Sequence, residues 1–254
     1  MTSRCRNSSL AGFFFSLLLT LSLTPAFAGG DFIRVAVASN FTKPLAEIAR
    51  LFEQQQGHEV ILSSGSSGKQ YAQISHGAPF DLYFSADADR PLQLEQKGLI
   101  VPGTRISYAL GRLALWNPNA ESTQAQALEQ TGRKLAIANP RLAPYGRAAQ
   151  QTLQHLGLWE KFQGHLIRGE NIAQTYHFVH SGSAPLGLVA LSQLRDTRQP
   201  AKGSFWLVPA DHHDPIEQQA VRLTDKPAAR QFMTFIKSAQ ARDIIERYGY
   251  EVPE

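Results

Sequence analysis

The chain has 254 residues, 43% of them hydrophobic and 18% charged, and its 25 lysines and arginines outnumber its 21 aspartates and glutamates for a formal net charge of +4. That length can build a sizeable core, as one large domain or two small ones. The charge is too small, and the basic side chains too scattered, for a nucleic-acid surface.

In chain order, Arg4 and Arg6 precede a mostly apolar run, Leu10 to Leu23, and Ala26-Phe27-Ala28 forms an A-x-A cleavage site. This pattern predicts a secretory signal peptide over residues 1–28. The apolar run is shorter than the roughly 20 residues that cross a bilayer. The one cysteine, Cys5, lies in the part removed. The mature chain is therefore expected to hold together by its core alone, without disulfides, in a compartment that would permit them.

Next, "FIRVAVAS" (32–39) reads as a strand. "TKPLAEIARLFEQQQG" reads as a helix with Leu45, Ile48, Ala49 and Phe52 on one face and Gly57 as its stop. "EVILS", "GKQYAQISHG" and "FDLYFSA" follow as strand, helix and strand. Further on, "GRLALW" and "KLAIANP" are strands, "APYGRAAQQTLQHLGLWEKF" is a long helical region ending near Gly157 and Trp159, and "ENIAQTYHFVHSG" is a helix. "APLGLVALS", "SFWLVP" and "EQQAVRL" are strands, and the C-terminal "AARQFMTFIKSAQARDIIERYGY" is helical. Strands separated by helices predict βαβ units and parallel, doubly wound α/β sheets. Two lobes are expected: residues 29–108 with 209–254 form one, and 109–208 form an inserted second.

The stretch "SSGSSGK" (63–69) invites two enzymatic readings. A phosphate-binding Walker loop requires glycine where Ser63 stands and Ser or Thr where Gln70 stands. Ser66-x-x-Lys69 has the spacing of an exported serine acyl-enzyme, but the companion S-D-N and K-T-G elements are absent from the chain. No G-x-S-x-G nucleophile turn occurs either. His177 with His180, and His212 with His213, lack further ligands at metal spacing and read as surface or edge side chains. Trp116, Trp159 and Trp206 read as core.

The first turn of a helix offers unpaired backbone N–H groups and a partial positive charge, so it receives anions without any cation. Ser66 and Ser67 stand at such a start, although serine there also serves simply as a cap. The pattern recurs: Ser39 and Asn40 close the first strand ahead of a helix, Tyr145 follows Pro144 at another helix start, and Ile172 opens a fourth with only its backbone N–H to give. In open α/β sheets ligands lie beyond the carboxyl ends of the strands, so the four starts are expected to meet in one cleft. Lys69 and Arg147, beside these loops, are expected to be solvated charges.

Taken together, "VAVASNFTKPLAEIARLFE", "SSGSSGKQYAQI", "GAPFDLYFSADADRP", "YALGRLALW", "LAIANPRLAPYGRAA" and "PLGLVALSQ" resemble the periplasmic molybdate-binding proteins of ABC importers, the ModA family. The likeness runs from about Asp31 to the terminal "YGY". It implies a type II periplasmic binding protein fold, with two doubly wound α/β lobes joined by a hinge and closing on an oxyanion. Family ligand positions fall on Asn40 with Ser39 beside it, on Ser67 with Ser66 adjacent, on Tyr145, and on the N–H of Ile172. Some members add a tyrosine where this chain has Ala190, and Asn40 and Tyr145 are the residues expected to make up that contact.

The resemblance further implies a non-enzymatic protein of the periplasm that captures molybdate or tungstate and passes it to a permease in the inner membrane. It implies no cofactor, molybdenum only as the bound oxyanion without direct metal ligands, no nucleic acid, and a monomer. Molybdate and tungstate are dianions with no proton to donate, which suits a site made of donors alone. The other readings kept open are a binder of sulfate or another tetrahedral oxyanion, and the serine acyl-enzyme.

Overall fold

The structure, a computed structural model, describes residues 1–2, 32–129, 132–196 and 201–253. The signal-peptide reading falls on residues outside these. In the first half, β1 (Ile33–Ala38) leads to α1 (Thr42–Gln56), β2 (Val60–Gly65), α2 (Ser67–Ser75), β3 (Leu82–Phe84), α3 (Asp89–Gln96) and β4 (Ile106–Gly111). Then come β5 (Leu113–Asn117), β6 (Leu135–Ala138), α4 (Pro144–His155), α5 (Trp159–Phe162), β7 (Leu166–Gly169), α6 (Ile172–His180), β8 (Leu186–Ala190), α7 (Leu191–Leu194) and β9 (Ser204–Leu207). The chain closes with β10 (Ile216–Arg222), α8 (Pro227–Phe235) and α9 (Ala239–Arg247).

These elements form two α/β lobes, each on a five-stranded sheet: β2-β1-β3-β10-β4 and β7-β6-β8-β5-β9. β1 pairs in parallel with both β2 and β3, joined by helical crossovers, and β6 does the same with β7 and β8. The sheets are mixed rather than wholly parallel, which corrects the sequence expectation. β10 runs antiparallel to β3 and β4, and β5 runs antiparallel to β8 and β9. The reason is the way the chain changes lobes. β4 ends at Gly111 in one sheet and β5 begins at Leu113 in the other, with only Arg112 between, so one extended run crosses without a helix to reverse it.

Local chemistry explains the elements. Five of the six residues of β1 are buried, as a central strand covered on both faces requires. α1 buries Leu45, Ile48, Ala49 and Phe52 and ends where Gly57 adopts a φ of 72°, its N–H bonding to the carbonyl of Glu53. The helical region expected to end near Gly157 and Trp159 does so: α4 stops at His155 ahead of Gly157, φ 68°, and a short α5 follows from Trp159. The C-terminal region is likewise two helices, because Ser238 caps α9 by accepting from Ala241 N. α3, β4 and β7 are short or half-polar and carried no clear period in the sequence.

The first lobe packs Phe41, Phe52, Phe84, Tyr108, Phe232 and Tyr250 into an aromatic core, Phe41 lying 4.6 Å from Tyr108 and 5.4 Å from Tyr250. In the second lobe, Leu113, Leu115, Ile137, Leu153, Phe162 and Leu188 cluster on one face of the sheet and Trp116, Val179 and Val189 on the other. Ala38, Ala86 and Ile216 of the first sheet's loops and strands join the second lobe's cluster. The lobes therefore touch through apolar contact as well as polar.

Candidate functional site

The carboxyl ends of β1 and β2 face the N-termini of α4 and α6 across the junction of the lobes. There a small cavity is walled by Ser39, Asn40, Ser66 and Ser67 from one side and Tyr145 and Ile172 from the other. All six residues named from sequence thus come together. Its volume, about 10 Å³, is far below the several hundred Å³ of a typical organic-ligand pocket. No Asp, Glu, Lys, Arg or His is among the wall residues.

Each residue arrives there for a local reason. Ser66 is the N-cap of α2 and its Oγ accepts from Lys69 N at 3.3 Å. Ser67, the first residue of that helix, accepts at Oγ from Ala86 N at 2.9 Å. Ser39 Oγ accepts from Ala173 N, in the opposite lobe, at 3.3 Å. Pro144 at the start of α4 sets the helical φ with no N–H to waste, which brings Tyr145 into the first turn. Asn171 caps α6 by accepting from Gln174 N at 3.0 Å, leaving Ile172 as the first helical residue. The backbone N–H groups of Ser67, Tyr145 and Ile172 have no intrahelical acceptor, as first-turn groups do not, and none is supplied by another described residue.

The polarity of the serine hydroxyls is consistent. Tyr145 OH accepts from Gln218 Nε2 at 3.3 Å. Ser39, Ser66 and Ser67 each take an N–H on oxygen and keep a hydroxyl hydrogen to donate, whereas the Tyr145 hydroxyl also shares a hydrogen bond with Tyr250. Tyr145 is fully buried and its pKa is raised well above the usual tyrosine value, first by desolvation and then by the neighbouring Tyr250. It stays neutral across the physiological range.

Asn40 behaves differently from the rest. Its side-chain Nδ2 donates to Gln218 Oε1 at 2.8 Å and to Tyr250 OH at 3.0 Å, so both amide hydrogens are turned into the floor of the cleft. Its backbone N–H meets no described protein acceptor. The floor itself was not read from sequence: Gln218, Tyr108, Tyr250 and Ser192 are all buried and linked. A pair of glutamines within the apolar run of β10 was the available signal. Ala190 ends β8, is buried, and donates its N–H to Gln193 Oε1; it is not a wall residue of this cavity.

Charges ring the junction instead of entering it. Lys69 pairs with Glu170 at 2.5 Å, Arg147 with Asp89 at 2.9 Å, and Lys43 with Asp196 at 2.7 Å. Each pair spans the two lobes. Lys69 and Arg147 are about half exposed, but they are lobe-bridging partners rather than free solvated charges. Lys69 Nζ is committed to Glu170, while Ser66 Oγ caps the backbone of Lys69, so the Ser66-x-x-Lys69 spacing does not assemble a nucleophile and base. Backbone contact also links the lobes, with Gly68 N donating to Leu142 O at 2.9 Å.

Elsewhere, His212 stacks on His155 at 4.1 Å, and burial pushes its pKa down. Among the described residues no group of three or more His, Cys, Asp or Glu is placed to hold a metal ion. Trp116 is buried, whereas Trp159 and Trp206 are only partly so.

Residues 33–251 match a family model described as bacterial extracellular solute-binding protein. The molybdate-binding protein ModA of Azotobacter vinelandii is 45% identical over 224 residues, covering 86% of this chain and 89% of that one. The ModA of Rhodobacter capsulatus is 41% identical over 240 residues, covering 92% and 94%. The solved structure of the Azotobacter vinelandii periplasmic molybdate-binding protein superimposes with a TM-score of 0.83, over 87% of this chain and 100% of that one, at 41% identity.

Proposed function

This chain belongs to the bacterial extracellular solute-binding proteins, in their molybdate-binding ModA branch, and we propose that it captures molybdate or tungstate in the periplasm and delivers it to the permease of an ABC importer. It is a binding protein and not an enzyme, as its relatives are. The single observation that carries the ligand class is a cavity walled by helix starts and serine hydroxyls with no charged side chain, the hydroxyls of Ser39, Ser66 and Ser67 each accepting an N–H and each with a hydrogen left to donate. A tetrahedral dianion without protons can accept all of them, together with the first-turn N–H groups of α2, α4 and α6 and the partial positive charge of those helix ends. Desolvated donors of fixed orientation hold a doubly charged ion without a neutralising lysine or arginine.

In this reading Ser39, Asn40, Ser66 and Ser67 bind from the lobe that carries β1 to β4 and β10, and Tyr145 and Ile172 from the lobe that carries β5 to β9, so the boundary expected at 108/109 moves to the crossing at Arg112. A ligand that contacts both sides favours the closed arrangement over the open one by its extra contacts. Residues 1–28 act as a cleaved signal peptide, and the mature protein works as a monomer without a cofactor.

Isothermal titration of the purified mature chain with molybdate, tungstate, sulfate and hydrogen phosphate tests the proposal. Tight binding of the first two, with sulfate weaker and phosphate undetected, is the expected result. Preference for sulfate would move the assignment to the runner-up oxyanion, and silence toward all four would end it. N-terminal sequencing of the exported protein checks cleavage after Ala28.

A further inference from the structure

α7 is a single turn, Leu191–Leu194, seated where the lobes join. The N–H of Leu191 donates at 2.9 Å to the carbonyl of Arg112, the residue between β4 and β5. From that anchor two consecutive side chains reach opposite walls of the cleft. Ser192 is buried, and its Oγ donates to the backbone carbonyl of Asn40, in the first lobe, at 3.1 Å. Gln193 Nε2 donates at 3.0 Å to the backbone carbonyl of Ile172, at the start of α6 in the second lobe, while its Oε1 accepts from Ala190 N at 3.0 Å. Asn40 and Ile172 are wall residues of the ion's cavity, whereas Ser192 and Gln193 are not.

A third bond closes a ring. The Ile172 carbonyl and the Ala173 N–H are two ends of one planar peptide group, and Ala173 N donates across the cleft to Ser39 Oγ at 3.3 Å. By holding the carbonyl, Gln193 aims that N–H at Ser39. Three pairs of chain neighbours, Ser39-Asn40, Ile172-Ala173 and Ser192-Gln193, are thus joined by three hydrogen bonds, two of which pass between the lobes. Five of these six residues line a second cavity of about 270 Å³ beside the ion's own. The ring therefore lies against open space, and its bonds can part and re-form without unpacking either lobe.

Resting on the oxyanion reading above, we propose that Ser192 and Gln193 are positioning residues that hold the two ion-binding walls in their closed register, and so govern how long the ion is retained rather than how fast it is captured. Without the ring the closed arrangement is less favoured, and a bound ion escapes when the lobes part. The encounter of the ion with the open cleft makes no use of the ring, so the association rate is left alone.

Capture and release of isotopically labelled molybdate, timed separately by rapid filtration, test this on the wild type, Ser192→Ala, Gln193→Met and the double variant. Each is first checked for folding by thermal melting without ligand. Ser192→Ala leaves the Asn40 carbonyl with the Tyr250 hydroxyl at 2.9 Å, so that buried oxygen is not orphaned. Each single variant is expected to release the ion about five- to tenfold faster, the worth of one hydrogen bond, with association within about twofold of the wild type. The double variant is expected to lose less than the product of the two, because both act on one ring. In the loaded protein the Ala173 amide hydrogen is expected to exchange with solvent faster in both single variants, a change that a mere cap for α7 would not produce. Wild-type release from Ser192→Ala, losses that fall on association instead, or unchanged exchange at Ala173 overturn the inference while leaving the functional reading intact. A folded wild type that does not bind molybdate overturns both. Should Gln193→Met fail to fold, Ser192→Ala decides alone, by its release rate and its exchange at Ala173.

Discussion

Ser67 shows how much one hydroxyl is asked to do. Its oxygen accepts the N–H of Ala86, its hydrogen remains to be donated, and the almost wholly buried residue lines the cavity. Truncation to alanine leaves Ala86 N without its acceptor and the bound ion short of a donor. Ser67→Ala is therefore expected to weaken molybdate binding by about 1–3 kcal/mol, read by calorimetry; unchanged affinity would remove Ser67 from the site. Tyr250 makes a second prediction at this scale. Burial pushes its pKa up to about 12, from an ordinary value of 10.0. Between those values the unfolded chain has lost the proton and the folded chain keeps it. The stabilisation is thus complete below pH 10 and disappears as pH climbs through 12. Roughly 2–3 kcal/mol is at stake for this residue alone. Denaturant melts at pH 9, 10, 11 and 12 should show stability falling over that interval, and Tyr250→Phe should flatten the fall.

Among the elements, the start of α2 carries both ligand groups and a lobe contact. Gly68 donates its N–H to the carbonyl of Leu142 across the cleft, and a Cβ at Gly68 would sit 2.9 Å from that oxygen and 3.2 Å from Leu142 Cα. Both obstacles are backbone, so neither can yield as a flexible side chain would. Gly68→Ala should hold the lobes apart with little change in the stability of either. The expected signature is molybdate affinity lowered about tenfold or more, with a small-angle scattering profile that stays open on adding ligand. An alanine protein that closes and binds as the wild type does would show the contact to be incidental. The four helix starts illustrate what a sequence can and cannot disclose at this scale. Ser39, Ser66, Ser67, Tyr145 and Ile172 were legible because capping residues at the ends of apolar runs mark helix N-termini. The inward turn of the Asn40 amide was not, since it is fixed by Gln218 and Tyr250, which lie 178 and 210 positions away.

For the whole molecule, the polar links between lobes are of unequal worth. The Lys69–Glu170 and Arg147–Asp89 pairs are substantially exposed at both partners, so solvent and salt screen them and each contributes little. The shape-dependent contacts at Gly68 and in the apolar patch around Ala38, Ala86 and Ile216 are not screened. Lys69→Ala should consequently change molybdate affinity by less than about 1 kcal/mol, and raising salt should have a similarly small effect on the wild type. A loss as large as that of Ser67→Ala would mean that the lysine acts on the ion directly.

The order of strands and helices, the apolar face of α1, the helix starts and the resemblance to molybdate-binding proteins were all set by residues close together in the chain, through periodicity, capping and turn chemistry. What required the tertiary structure was everything made of distant partners. β5 and β10 run against their neighbours, each following a crossing between lobes made without an α-helix, the first at Arg112 and the second between β9 and β10. The bridging ion pairs, the buried floor of Gln218, Tyr108 and Tyr250, and the direction of each hydroxyl hydrogen depend on which groups meet across the cleft. A hydrogen bond's sense is decided by both partners at once, and the partners that meet in the Asn40–Gln218, Tyr108–Gln218 and Ser39–Ala173 bonds are 178, 110 and 134 residues apart.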